Sequence, residues 1–125
     1  MQIVIDHLLH MTGGDANLAD EVLDIFRNQA ETWGRMLSPD NSQKEWADAA
    51  HALKGAALSI GASDFAEACA LIEKRGRGDA AVSRVEAAAL LSSLKDGLAQ
   101  AIEACARASY ELSKPGFNRS NDSNS

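Results

Sequence analysis

The chain predicts an all-α fold, an antiparallel up-down four-helix bundle preceded by a short lead-in helix. Apolar residues recur every three to four positions in four long stretches, the spacing that lines one face of a helix. The breaks between stretches are short and rich in Pro, Gly, Ser and Asn, so successive helices are expected to fold back on one another. With 46% hydrophobic but only 5% aromatic residues, the core is expected to be built from Leu, Ile, Val and Ala. A length of 125 residues is enough for one domain.

The first element is a short helix near Ile3 to His10, with Ile3, Leu8 and Met11 packed down, leading into the capping-competent turn Thr12-Gly13-Gly14-Asp15. Leu18, Val22, Ile25, Phe26, Ala30, Trp33 and Leu37 then predict a helix over about 16–37. Pro39, inside Ser38-Pro39-Asp40-Asn41-Ser42, marks the loop that follows. The third helix carries His51, runs to about Ile60 and ends at Gly61. Ser63 is the expected cap of a fourth helix over about 64–75, with Phe65, Ala68, Cys69 and Ile72 inward and a stop at Gly76-Arg77-Gly78. The last helix, about 80–112, aligns Val85, Leu90, Leu91, Leu94, Leu98, Ala101, Ile102, Cys105 and Leu112 on a broad stripe. Residues 1–112 form the expected bundle domain, and the polar tail 113–125 has too little apolar surface to order itself.

Within the third helix, a projection at about 100° per residue gathers Trp46, Ala49, Ala50, Leu53, Ala56, Ala57 and Ile60 on one apolar stripe. His51 lies opposite, with Lys44, Ala47, Asp48, Lys54, Gly55 and Leu58 around it. His51 therefore faces water or a partner. An imidazole has a reference pKa near 6.5, so around neutral pH a large fraction keeps a free nitrogen lone pair and is a competent nucleophile. Lys54 and Gly55 are its surface neighbours one turn on. The lysine can meet a phosphoryl group with a charge-assisted hydrogen bond, and the glycine, lacking a Cβ, leaves room for another protein's active site. Helical glycine costs about 1 kcal/mol relative to alanine, and Gly34 and Gly97 also interrupt helical patterns. Only Gly55 shares the exposed His51 face.

His51-Ala-Leu-Lys54-Gly55 with Gly61-Ala62 resembles the signature of histidine-containing phosphotransfer (HPt) domains of multistep phosphorelays. Gly14-Asp15, Leu18, Glu21-Val22-Leu23, Phe26 and Gln29 resemble the family's first long helix, and Phe65, Cys69, Ile72-Glu73 and Gly76 the helix after the active one. The resemblance covers roughly residues 4–112. It implies that His51 is the phosphorylated residue, that Lys54 assists electrostatically and that Gly55 keeps the docking surface open. Glu73 stands where some members have glutamine; a carboxylate there can hold the imidazole through an N–H, while repelling phosphate. Leu58 replaces a usually smaller residue and suggests an apolar docking contact, with Lys44, Ala47 and Asp48 completing the partner-binding face.

The resemblance implies a phosphocarrier that takes a phosphoryl group from a receiver-domain aspartate onto His51 and passes it to another receiver. The implied partners are receiver domains of response regulators, of a hybrid histidine kinase, or both. No cofactor is expected on this chain; Mg²⁺ is expected on the receiver. An autonomous kinase is disfavoured, because no strand leads into a phosphate-cradling glycine loop and Ala52 follows His51 where kinase dimerisation helices carry an acidic residue. The competing reading is a non-catalytic helical adaptor that binds a signalling partner through the Lys54–Leu58 face.

A net charge of −6 argues against nucleic-acid binding. The one basic cluster, Lys74-Arg75-Gly76-Arg77, is read as a helix C-terminal cap. No apolar run spans a bilayer and no signal core follows the start, so a cytoplasmic, membrane-free protein is expected. Cys69 and Cys105 are expected as buried, reduced thiols. His7 and His10, with Asp6 and Met11, find no further ligands at metal-binding spacing, so no metal site is expected. Trp33 and Trp46 read as core or core-edge residues. The apolar stripes are accounted for by one bundle, which favours a monomer, and Met1 with the polar tail favours a free-standing protein over a domain of a larger kinase.

Overall fold

Helical periodicity becomes five helices in the computed structural model, which describes residue 3 and residues 5–114: α1 (Ile5–Met11), α2 (Ala16–Gly34), α3 (Gln43–Ser59), α4 (Ser63–Arg77) and α5 (Arg84–Ser113), with no strand among the described residues. The long helices pack as a ring, α2 on α3, α3 on α4, α4 on α5 and α5 back on α2. Short connections make consecutive members antiparallel, the geometry of an up-down bundle. Helix α5 runs to Ser113, and the rest of the expected tail, from residue 115, lies outside the described residues.

Helix starts follow capping chemistry. Asp15 Oδ1 accepts the backbone N–H groups of Asn17 (3.0 Å) and Leu18 (3.1 Å) at the head of α2. Ser42 and Glu45 form a reciprocal capping box on α3, with Glu45 N–H donating to Ser42 Oγ at 3.1 Å and Ser42 N–H to Glu45 Oε1 at 2.8 Å. At the other end of α3, Gly61 takes φ +75°. The N–H groups of Gly61 and Ala62 donate to the carbonyls of Leu58 (3.2 Å) and Ala57 (2.9 Å), a Schellman closure that needs a residue free to adopt a positive φ. The chain therefore reverses within three residues. Ser63 does not cap α4 as expected; it is the first helical residue, and Ala62 precedes it without a side-chain cap.

Three boundaries move for tertiary reasons. Helix α2 ends at Gly34 rather than near residue 37, and Leu37, wholly buried, reaches the core from the turn while Asn41 Nδ2 donates to the Met36 carbonyl at 3.0 Å. Helix α4 continues through Gly76 to Arg77, because the glycine is buried against α3 and packing outweighs its poor propensity. Helix α5 starts at Arg84, where Ser83 Oγ accepts from Glu86 N–H at 3.1 Å. Gln43 ties down the intervening turn by donating to the Gly76 carbonyl (3.0 Å) and accepting from Val82 N–H (3.0 Å).

The core contains Leu8, Leu23, Phe26, Leu37, Trp46, Leu53, Ile60, Phe65 and Leu91, each at most 2% exposed. Burial of each such side chain is worth about 1.5–3 kcal/mol. Met11, Leu18, Ile25 and Val85, expected inward, are instead exposed. In α2 the reason is visible in its buried stripe of Ala16, Ala19, Leu23, Phe26 and Ala30: alanines pack beside Leu23 and Phe26, and Leu18 and Ile25 fall beside that stripe. Cys69 and Cys105 are buried free thiols, and burial pushes them up to about 12 and about 11 respectively.

Four glycines lie within helices, and a Cβ added to each meets different surroundings. At Gly76 it would stand 2.6 Å from Trp46 Cζ3 and 2.9 Å from Ala47 Cβ; at Gly34, 3.0 Å from Leu98 Cδ2; at Gly97, 3.2 Å from Phe65 Cδ1. At Gly55 nothing lies within 4 Å. Gly55→Ala is expected to raise stability by up to about 1 kcal/mol through helix propensity. Gly76→Ala is expected to lower it by about 1–3 kcal/mol, because a buried indole cannot move aside. Chemical denaturation of both variants checks this, and equal shifts of the same sign would contradict it.

Candidate functional site

The alanine face of α3 sets how close α4 can lie. Ala47, Ala49, Ala50 and Ala57 are fully buried, and Gly76 meets Trp46 and Ala47 without a Cβ. This brings two α4 side chains one turn apart, Glu73 and Arg77, onto the His51 side of α3.

His51 is 61% exposed, and its Nδ1 lies 2.8 Å from Glu73 Oε2. The other carboxylate oxygen, Oε1, accepts from Lys54 Nζ at 2.9 Å. Arg77 Nε donates to Glu73 Oε2 at 3.1 Å, and Arg77 Nη2 lies 2.9 Å from Asp48 Oδ1. Asp48 Oδ2 in turn accepts from Lys44 Nζ at 2.9 Å. One chain of opposite charges thus runs Lys44, Asp48, Arg77, Glu73, and branches to His51 and Lys54.

Glu73 is the enclosed member, with 14% of its side chain exposed. The Lys54 ammonium, aided by Arg77 and His51, holds its carboxyl down at about 2 against the opposing effect of burial. Hydrogen bonds from Lys44 and then Arg77 lower Asp48, and Glu73 and then Asp48 raise Arg77. A consequence follows for the imidazole. Ionised at neutral pH, Glu73 can only accept, so Nδ1 must carry the proton in this contact. In the neutral ring the lone pair then sits on Nε2, the nitrogen turned away from Glu73.

Of the residues singled out from sequence, Lys54, Gly55, Leu58, Asp48 and Lys44 line this side of α3, with Leu58 exposed and Lys44 and Asp48 bound to one another. Ala47 does not. It is fully buried under Gly76, so it offers no partner-binding surface, because the helical projection takes no account of the second helix that covers this position. Arg77 lies in the last turn of α4, as the reading of the basic cluster expects, and it also pairs with Glu73 and Asp48 beside His51, a contact that its spacing of four from Glu73 signals. Ile25, expected in the core, instead lines with Trp33, Ala52 and Gly55 an open apolar groove between α2 and α3, adjoining the His51 face. His7 packs its ring against Gly61, and among the described residues no three potential metal ligands come together. Nor is any described helix long and apolar enough to cross a membrane.

Because Glu73 is depressed from 4.5 to about 2, its ionised contacts stabilise the fold above the unfolded value and are lost as pH falls through the folded one. The stability difference between wild type and Glu73→Gln is expected to be full above 4.5 and to fade as pH drops toward about 2. Acid unfolding of both proteins with a carbon-13 titration of the Glu73 carboxyl checks this; an inflection near 4.5 would contradict it.

A family model described as Hpt domain matches residues 16–108. No curated protein and no solved structure gives a match. Hpt domains are helical phosphocarrier modules of two-component phosphorelays that interact with receiver domains and are not autonomous kinases. The matched span takes in α2, α3, α4 and most of α5, with His51, Lys54 and Glu73 inside it, and the chain belongs to the Hpt domain family.

Proposed function

We propose that this chain carries phosphoryl groups between receiver domains of a phosphorelay, with His51 as acceptor and donor. The carrying observation is the exposed imidazole whose Nδ1 faces an ionised Glu73 at 2.8 Å, which leaves Nε2 as the outward nucleophile. In the forward step the Nε2 lone pair forms a bond to phosphorus as the bond to the receiver's aspartate oxygen breaks. The aspartate leaves as a carboxylate. The proton stays on Nδ1, so the ring acquires positive charge, which Glu73 stabilises through the same hydrogen bond. Transfer to a second receiver is the reverse step at another aspartate.

Lys54 has two roles in this reading. Before transfer it pairs with Glu73, and once a phosphoryl group arrives it offsets the added negative charge beside a carboxylate that would otherwise repel it. Mg²⁺ and the acidic residues that bind it come from the receiver, so this protein supplies half of a reaction centre and needs no cofactor of its own. Gly55, with open space above it, lets the receiver's active-site loops reach His51, and exposed Leu58 and Ile25 give that approach apolar contact. The partners are receiver domains of response regulators or of a hybrid kinase, met by a single bundle acting as a monomer in the cytoplasm.

Incubation with a phosphorylated receiver and Mg²⁺, followed by intact mass, is expected to add one acid-labile, base-stable phosphoryl group to wild type and none to His51→Gln. The variant should stay folded, because His51 is not part of the core. Absence of label on wild type across several receivers would favour a non-catalytic adaptor that uses the Lys54–Leu58 face. Gly55→Gln is expected to keep full stability yet slow transfer by about 10- to 100-fold by displacing the receiver. A rate equal to wild type would remove close approach from the account.

A further inference from the structure

Glu73 has three rotatable bonds, the last of which turns its carboxyl, so its contact with His51 requires something to hold an oxygen on the ring. Lys54 holds Oε1, and Arg77 Nε donates to Oε2, the same atom that meets His51 Nδ1. Arg77 is itself held from the far side, where its Nη2 reaches Asp48 Oδ1 on α3 at 2.9 Å and Lys44 anchors the other Asp48 oxygen. One planar guanidinium therefore joins a carboxylate on each of two helices, a geometry that a single-point ammonium cannot reproduce. Its backbone is equally fixed, since Gly76 beside it packs on Trp46 and its carbonyl accepts from Gln43.

We infer that Arg77, braced by Asp48, is a positioning residue that holds Glu73 Oε2 on His51 Nδ1 and so keeps the Nε2 lone pair outward for phosphoryl transfer. This deepens the proposed function and rests on it for its kinetic consequence, though not for the tautomer it predicts. Exposed ion pairs contribute little to stability, and Arg77 is 42% exposed with Asp48 at 41%, so placing Glu73 explains the arrangement better than holding the helices together does. The charged groups joined to the imidazole through these contacts are Glu73 and Arg77 from α4, and Lys44, Asp48 and Lys54 from α3. With Arg77 gone, Lys54 would hold only Oε1, and the contact of Oε2 with the ring would lose its second donor.

The test reads the His51 ring directly. Long-range nitrogen-15 to proton correlation at alkaline pH, where imidazole is neutral, is expected to show Nδ1–H with unprotonated Nε2 in wild type. In Arg77→Gln an Nε2–H population should appear and transfer from a phosphorylated receiver should slow by about tenfold, with the melting temperature little changed. Asp48→Asn should move both readouts the same way by less. Arg77→Lys should rescue them only in part, because it keeps the charge but not the bridge. A wild-type tautomer in Arg77→Gln, or full rescue by lysine, would overturn the inference. If wild type takes no phosphoryl group from any receiver, the functional reading fails, and the tautomer measurement still decides whether Arg77 positions Glu73.

Discussion

Where α4 crosses the first half of α3, the indole of Trp46 and the methyl of Ala47 occupy the space that a side chain at position 76 would need. Gly76 leaves that space free, and side chains on α4 reach the flank of α3 that carries Asp48, His51 and Lys54. Glu73 and Arg77 lie one turn apart on this stretch, and their distances to His51, Lys54 and Asp48 follow from it. A wider helix pair would leave the imidazole on an exposed helix with no partner to choose its tautomer.

Two kinds of interaction thus divide the work. Burial of Trp46, Leu53, Phe65 and their neighbours supplies the free energy, at about 1.5–3 kcal/mol for each large side chain. The ion pairs at the surface supply at most about 1 kcal/mol each, less in salt. Their value is directional. Glu73 is the exception in degree, because it is largely enclosed and faces three positively charged or protonated groups, which is why its carboxyl remains ionised far into acid. A carboxylate in this position holds the ring through Nδ1, and in the proposed transfer it would stabilise the positive charge that develops there, while Lys54 and Arg77 would offset its repulsion of an incoming phosphoryl group.

Much of this was legible in the sequence. The 3.6-residue periodicity placed His51 opposite the Trp46, Leu53 and Ile60 stripe, and marked Lys54 and Gly55 as its neighbours, because those relations lie within one helix. Gly55 could be set apart from Gly34 and Gly97 by face alone, and the open space above it agrees. What failed involved a second helix. Ala47 projects toward the His51 side yet is covered by α4, and the place of Arg77 in the last turn of α4 does not by itself reveal Asp48 opposite it. In α2 three of the five buried residues are alanine, so weighting large apolar residues drew Leu18 and Ile25 inward when Ala16, Ala19 and Ala30 are packed beside Leu23 and Phe26.

The proposed transfer depends on one atom, Nε2 of His51, as the place where phosphorus would be bonded. The direct measurement is nitrogen-15 and phosphorus-31 NMR of the protein after phosphorylation by a receiver, with the imidazole nitrogens of His51 assigned. Phosphorus coupled to Nε2, with Nδ1 still protonated and Glu73 still beside it, is the predicted result. Phosphorus on Nδ1, or on any residue other than His51, would contradict it.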